Sequence, residues 1–115
     1  MLAHSLMLRA SSENRGDALD PRAITDPSID PLVEGGSRLI GFVDAVLGGG
    51  NVDGRRASLG TALGSDAVVD ASATIANFEM MNRIAQGTGM PVGKGSLAQT
   101  EEWRSLIGLD RYRHR

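Results

Sequence analysis

The sequence contains no cysteine. A disulfide, a thiolate nucleophile, a cysteine-ligated zinc site and an iron–sulfur cluster are therefore excluded from this chain. Small secreted domains commonly depend on disulfides, so this absence leads to the expectation of a cytoplasmic protein. Aromatic side chains are nearly as scarce: Phe42, Phe78, Trp103 and Tyr112 are the whole set. The core must then be built from Ala, Val, Leu, Ile and Met, and such a core is thin. No apolar run approaches the ~20 residues of a membrane span, so no membrane partner is expected. Met1 to Arg9 lacks the basic start and long apolar stretch of a signal peptide. The 12 basic and 14 acidic residues are interspersed and leave a net charge of −2. A general nucleic-acid binder would show a basic face and a high pI, so no nucleic-acid partner is expected either. The one basic cluster, Arg111, Arg113, His114 and Arg115, reads as a solvated terminus.

What is present is helical periodicity interrupted by glycine. The 115-residue chain has room for one domain of ordinary size, and 15 glycines punctuate it. Leu2 to Ala10 reads as a short helix. From Ser11 to Pro31 no apolar period survives, and Asp20-Pro21, Asp26-Pro27 and Asp30-Pro31 repeat one local device. The residue before proline is pushed out of the α region, and aspartate favours turns and caps. This stretch reads as a linker with one helical turn. The organisation expected is therefore residues 1–30 as a short helix and linker, and residues 31–115 as a helical domain.

Leu39, Phe42, Val43, Val46 and Leu47 share one helix face, and that helix should start between Pro31 and Ser37 and stop at Gly48-Gly49-Gly50. A second short helix, Arg55 to Leu63, follows a loop in which Asp53 is the expected N-cap. The best signal is Ser65 to Gln86, with Ser65 as N-cap and no Gly or Pro inside it. At 1.5 Å per residue it is roughly 33 Å long. Val68, Ala71, Ile75, Phe78 and Ala85 line one side, and Val69, Ala73, Ala76, Met80 and Ile84 line a neighbouring side. A helix apolar over this much of its girth is packed on more than one side. A last helix is expected over Leu97 to Ile107. The fold class is all-α, a small helical bundle around one long central helix, preceded by an irregular N-terminal segment.

Candidate sites are few. Gly48-Gly49-Gly50 and Gly93-Lys94-Gly95-Ser96 lack the spacing and the preceding strand of a phosphate-binding loop. His4 and His114, the only histidines, lie at opposite ends, and no metal or cofactor is expected. Asp70, Thr74 and Asn77 form a polar row on the long helix. They either hydrogen-bond to a neighbouring element or line a polar pocket.

Phe42 to Leu47, the short helix ending Ala62-Leu63-Gly64, and the run Ala76-Asn77-Phe78-Glu79-Met80-Met81-Asn82-Arg83-Ile84-Ala85 carry a resemblance. So do the turn Thr88-Gly89-Met90-Pro91 and the ending Leu106 to Tyr112. Over roughly residues 38–112 the chain resembles the C-terminal half of alkylhydroperoxidase-like proteins of the carboxymuconolactone decarboxylase superfamily. The resemblance implies an all-α bundle that forms symmetric oligomers. In many members it also implies a redox Cys-x-x-Cys on an upstream helix, with Glu and His as proton relays. That helix would fall at Leu6 to Arg15, which has no cysteine.

Two functions follow as expectations. One is a self-associating helical module, dimer or trimer, without thiol peroxidase activity. The other is an enzyme that works without cysteine, as lactone-decarboxylating relatives do, on a small organic substrate. Its candidates for catalysis are His4, Glu13, Asp70 and Asn77. Phe78, a large aromatic on the long helix, is the residue expected to matter most at a subunit contact.

Overall fold

The computed structural model describes residues 2–91 and 93–108, and within helices it leaves aside the side chains of residues 2–6, 9 and 96. The tail cluster and most of the family-like ending at residues 109–115 lie outside the described residues. Among the described residues every regular element is a helix: α1 (Leu2–Arg15), α2 (Gly36–Gly48), α3 (Val52–Leu63), α4 (Ser65–Thr88), α5 (Lys94–Gln99) and α6 (Glu101–Leu106), with one turn of 3-10 helix at Pro21–Ile24. None of these helices is long and apolar enough to cross a membrane. The chain forms two compact units. One is Gly35–Pro91, and the other is the described part of Met1–Glu34 and Val92–Arg115. The C-terminal helices thus group with the N-terminal segment rather than with α2 to α4.

In the Gly35–Pro91 unit, α3 packs against both α2 and α4, and α2 meets α4 only slightly. Phe42 and Ala45 of α2 and Leu59 of α3 are buried, so the centre of this unit lies around α3. Gly35 makes the α2–α3 contact possible. It sits at φ +66°, and a Cβ there would come within 2.7 Å of the Leu63 side chain. Gly49, at φ +75°, ends α2 in the left-handed conformation and donates its N–H to the Ala45 carbonyl at 3.0 Å. The triple glycine is therefore a helix stop, which fits its failure as a phosphate loop.

Two caps differ from expectation. Asn51, not Asp53, caps α3: its Oδ1 accepts from the Gly54 N–H at 2.9 Å. Asp53 lies inside the first turn, 2.7 Å from Arg56. Asn51 wins because the cap oxygen must accept from the N–H three residues on, and α3 begins at Val52, three residues before the expected start at Arg55. Likewise α4 begins at Ser65 itself, behind Gly64, with no side-chain cap. The long helix is present as expected and ends two residues later, because the Thr88 hydroxyl donates to the Ile84 carbonyl at 2.7 Å and Gly89 takes the left-handed cap.

In the other unit, α1 is longer than its apolar pattern. Ser11, Ser12, Glu13 and Asn14 continue it until Gly16, because polar residues extend a helix when neither Gly nor Pro stops it. The expected final helix is split at Thr100 into α5 and α6. Trp103, Ile107, Thr100 and Ala23 are buried. The Thr25 hydroxyl donates to the Ile107 carbonyl at 2.9 Å, tying residues 82 positions apart.

The Asp-Pro stretch is ordered by one repeated bond. The Asp20 carboxylate accepts from the Arg22 N–H at 3.1 Å, Asp26 from the Ser28 N–H at 2.9 Å, and Asp30 from the Leu32 N–H at 2.8 Å. In each case the aspartate bridges across its proline to the residue beyond, an Asx turn in which the proline has no N–H to compete. Leu32 takes a φ of +63° in the last of these turns, a conformation unfavourable for a side chain with a Cβ.

Candidate functional site

The sequence singled out residues on two elements. Glu13 lies on α1, and Asp70, Thr74 and Asn77 lie on α4. The side chain of His4 and all of His114 lie outside the described residues.

Glu13 lines an open groove of about 760 Å³ with Ser12, Asp17, Glu102, Trp103 and Leu106 among its neighbours. The groove exists because α1 stops abruptly. After Arg15 the chain turns at Gly16, the Asp17 N–H donates to the Ser12 carbonyl at 3.0 Å, and the Ser12 hydroxyl donates to the Asp17 carbonyl at 2.6 Å. Arg15 Nε lies 3.0 Å from the Asp17 carboxylate, so that charge is already balanced. Asp17, Glu102 and Trp103 were not singled out from the sequence. Glu102 belongs to the acid pair Glu101-Glu102 at a helix start, which by itself reads as favourable helix-dipole placement, and Asp17 and Trp103 carry no such signal. The groove carries carboxylates and an indole beside small polar groups. No serine in it is hydrogen-bonded to a histidine among the described residues. No group of three or more described His, Asp or Glu residues could hold a metal ion.

On α4, Asp70, Thr74 and Asn77 are exposed. The Thr74 hydroxyl donates to the Asp70 carbonyl at 2.8 Å, a bond within the helix rather than to a neighbouring element. The two apolar sides of α4 part company. Val68, Ala71, Ile75, Phe78 and Ala85 are half-buried, whereas Val69, Ala73, Ala76, Met80 and Ile84 are exposed. Val69 is 65% exposed, Met80 55% and Ile84 53%. No residue of α4 is buried. Phe78 belongs to the half-buried side and is not part of the exposed stripe. Arg83 sits at the stripe's edge, 3.6 Å from Glu79 one turn earlier.

Electrostatics stand out at one place. Asp20 receives the Arg22 guanidinium side-on, with Nε at 2.9 Å and Nη2 beside the second oxygen. These hydrogen bonds from Arg22 hold the Asp20 carboxyl below the usual carboxylate range. The pair stiffens the turn before Pro21–Ile24 and is structural. Compared with protein families, characterised proteins and solved structures, the chain finds no match.

Proposed function

We propose that this chain is a self-associating helical module of the alkylhydroperoxidase-like kind, with α4 as its contact element. The observation that supports this reading is the exposed stripe Val69, Ala73, Ala76, Met80 and Ile84 along one side of the longest helix. Soluble chains seldom leave a continuous apolar strip of this length uncovered, and closed symmetric pairing is the usual cover. The module carries no thiol peroxidase activity in this reading, which the cysteine-free composition supports: the chain supplies no thiolate to attack a peroxide and no resolving thiol. Light scattering after size exclusion tests it. The expected result is a mass above that of one chain at high micromolar protein, and a monomer for Met80→Glu with an unchanged helical circular dichroism spectrum. A monomer for the unaltered chain would overturn the reading.

A further inference from the structure

The stripe on α4 has a register as well as a surface. Asp66, Ala73, Met80 and Gly87 recur every seven residues, and Val69, Ala76 and Arg83 recur every seven residues between them. These are the two core series of a heptad, offset by three and four. All seven are exposed. The centre of the seam is small (Ala73, Ala76), the next layers are large (Val69, Met80), and the layers outside these carry opposite charge (Asp66, Arg83), with Gly87 beyond.

Resting on the self-association reading, we infer that two copies pair through their α4 helices in antiparallel orientation. The two-fold axis passes level with Thr74 and Ile75. Charge decides the direction. In a parallel pair each core residue faces its own copy, so Asp66 would meet the partner's Asp66, and Arg83 the partner's Arg83, at both ends of the seam. In an antiparallel pair one core series faces the other. Asp66 then lies beside the partner's Arg83 and Arg83 beside the partner's Asp66. Val69 lies against the partner's Met80. Ala73 lies against the partner's Ala76, which lets the backbones approach toward the close end of the ~8–10 Å range for helix pairs. Flanking the seam, Asp70 faces the partner's Asn77 and Glu79 faces the partner's Ser72, with no like charges opposed. The polar row of α4 becomes the rim of the contact. Arg83 keeps its own Glu79 at one side and gains a second carboxylate at the other.

The absence of cysteine makes the test clean, because an introduced thiol is the sole thiol. Val69→Cys and Met80→Cys proteins are oxidised separately and as a mixture. The antiparallel pair predicts a disulfide-linked dimer only in the mixture, since each position lies ~16 Å along the axis from its own copy, beyond disulfide reach. In parallel, Asp66→Arg and Arg83→Asp each weaken dimerisation about tenfold, and the doubly reversed chain recovers most of it. Dimers in which each variant cross-links with itself would overturn the antiparallel register while self-association stands. A strictly monomeric unaltered chain would overturn both.

Discussion

Residues 20–32 hold three prolines and no α-helix, whereas α4 runs for 24 residues without one. Yet the irregular stretch fully buries Ala23 and Pro31, and α4 fully buries no residue. In the first region order comes from side chains: three aspartates each take the N–H two residues ahead, and the Asp20 N–H donates to the Pro31 carbonyl at 3.0 Å to close the loop on itself. In the second, order comes from the helix's own backbone ladder. Regularity of the chain and attachment to a core are thus separate quantities here. A long helix is self-sufficient in hydrogen bonds and still has an apolar side to cover. A turn-rich segment without any periodicity can be fixed by a few side chains that each bond the backbone two residues ahead.

The largest effects should separate these two kinds of order. Leu59→Ala, at the fully buried centre of the Gly35–Pro91 unit, should destabilise it by about 2–5 kcal/mol. Met80→Ala, on the exposed side of α4, should stay within about 0.5 kcal/mol in dilute monomer. Urea denaturation followed by circular dichroism measures both, and a large loss at Met80 in dilute solution would break the contrast. A smaller effect, of opposite sign, is expected at Leu32. Relieving its φ of +63° with Leu32→Gly should stabilise by about 0.5–1 kcal/mol, the left-handed strain less the entropy that glycine costs. Leu32→Ala retains the strain and serves as the control. Hydrogen exchange of the Leu32 and Asp20 amides would read the change locally.

The smallest effect is one of pH. The folded Asp20 carboxyl titrates below its ordinary value because Arg22 donates to it. Its contribution is therefore fully present above the unfolded value of about 4 and is lost as pH falls through the lower folded value. Carbon NMR of the Asp20 carboxyl should show a midpoint below that of an exposed aspartate, and Arg22→Gln should return it to the ordinary range. An unshifted midpoint in the unaltered chain would show that the pair is not held in solution.

Much of the fold was legible because glycine and apolar spacing are strong local signals. The stop of α2 at Gly48-Gly49-Gly50 and the extent of α4 followed from them. The two sides of α4 could be drawn as well, but not which one the protomer covers, since that depends on where α3 lands. The extension of α1 through Ser11 to Asn14 was not legible, because polar residues carry no period. Nor was the break at Thr100, since Leu97, Trp103 and Ile107 suit one helix as well as two. Of the candidate site residues, Glu13 reaches a groove only because Gly16 turns the chain beside it. Asp70 and Asn77 mark an exposed row, which the helical spacing foretold as a row without saying what faces it.

The bond from Thr25 to Ile107 also sets an order of assembly. Helices α2, α3 and α4 pack against neighbours in sequence, so their contacts close short loops and should form quickly. The hydroxyl of Thr25 must instead wait for a carbonyl 82 residues later. On a ribosome making about 5–20 residues per second, that is a delay of several seconds during which Asp20 to Leu32 has its aspartate turns but not its final partner. If α2 to α4 condense first, they shorten the effective loop that the late bond must close and so lower its entropic cost. The early helices then act as a splint, and the segment around Ile107 completes a structure begun around Thr25.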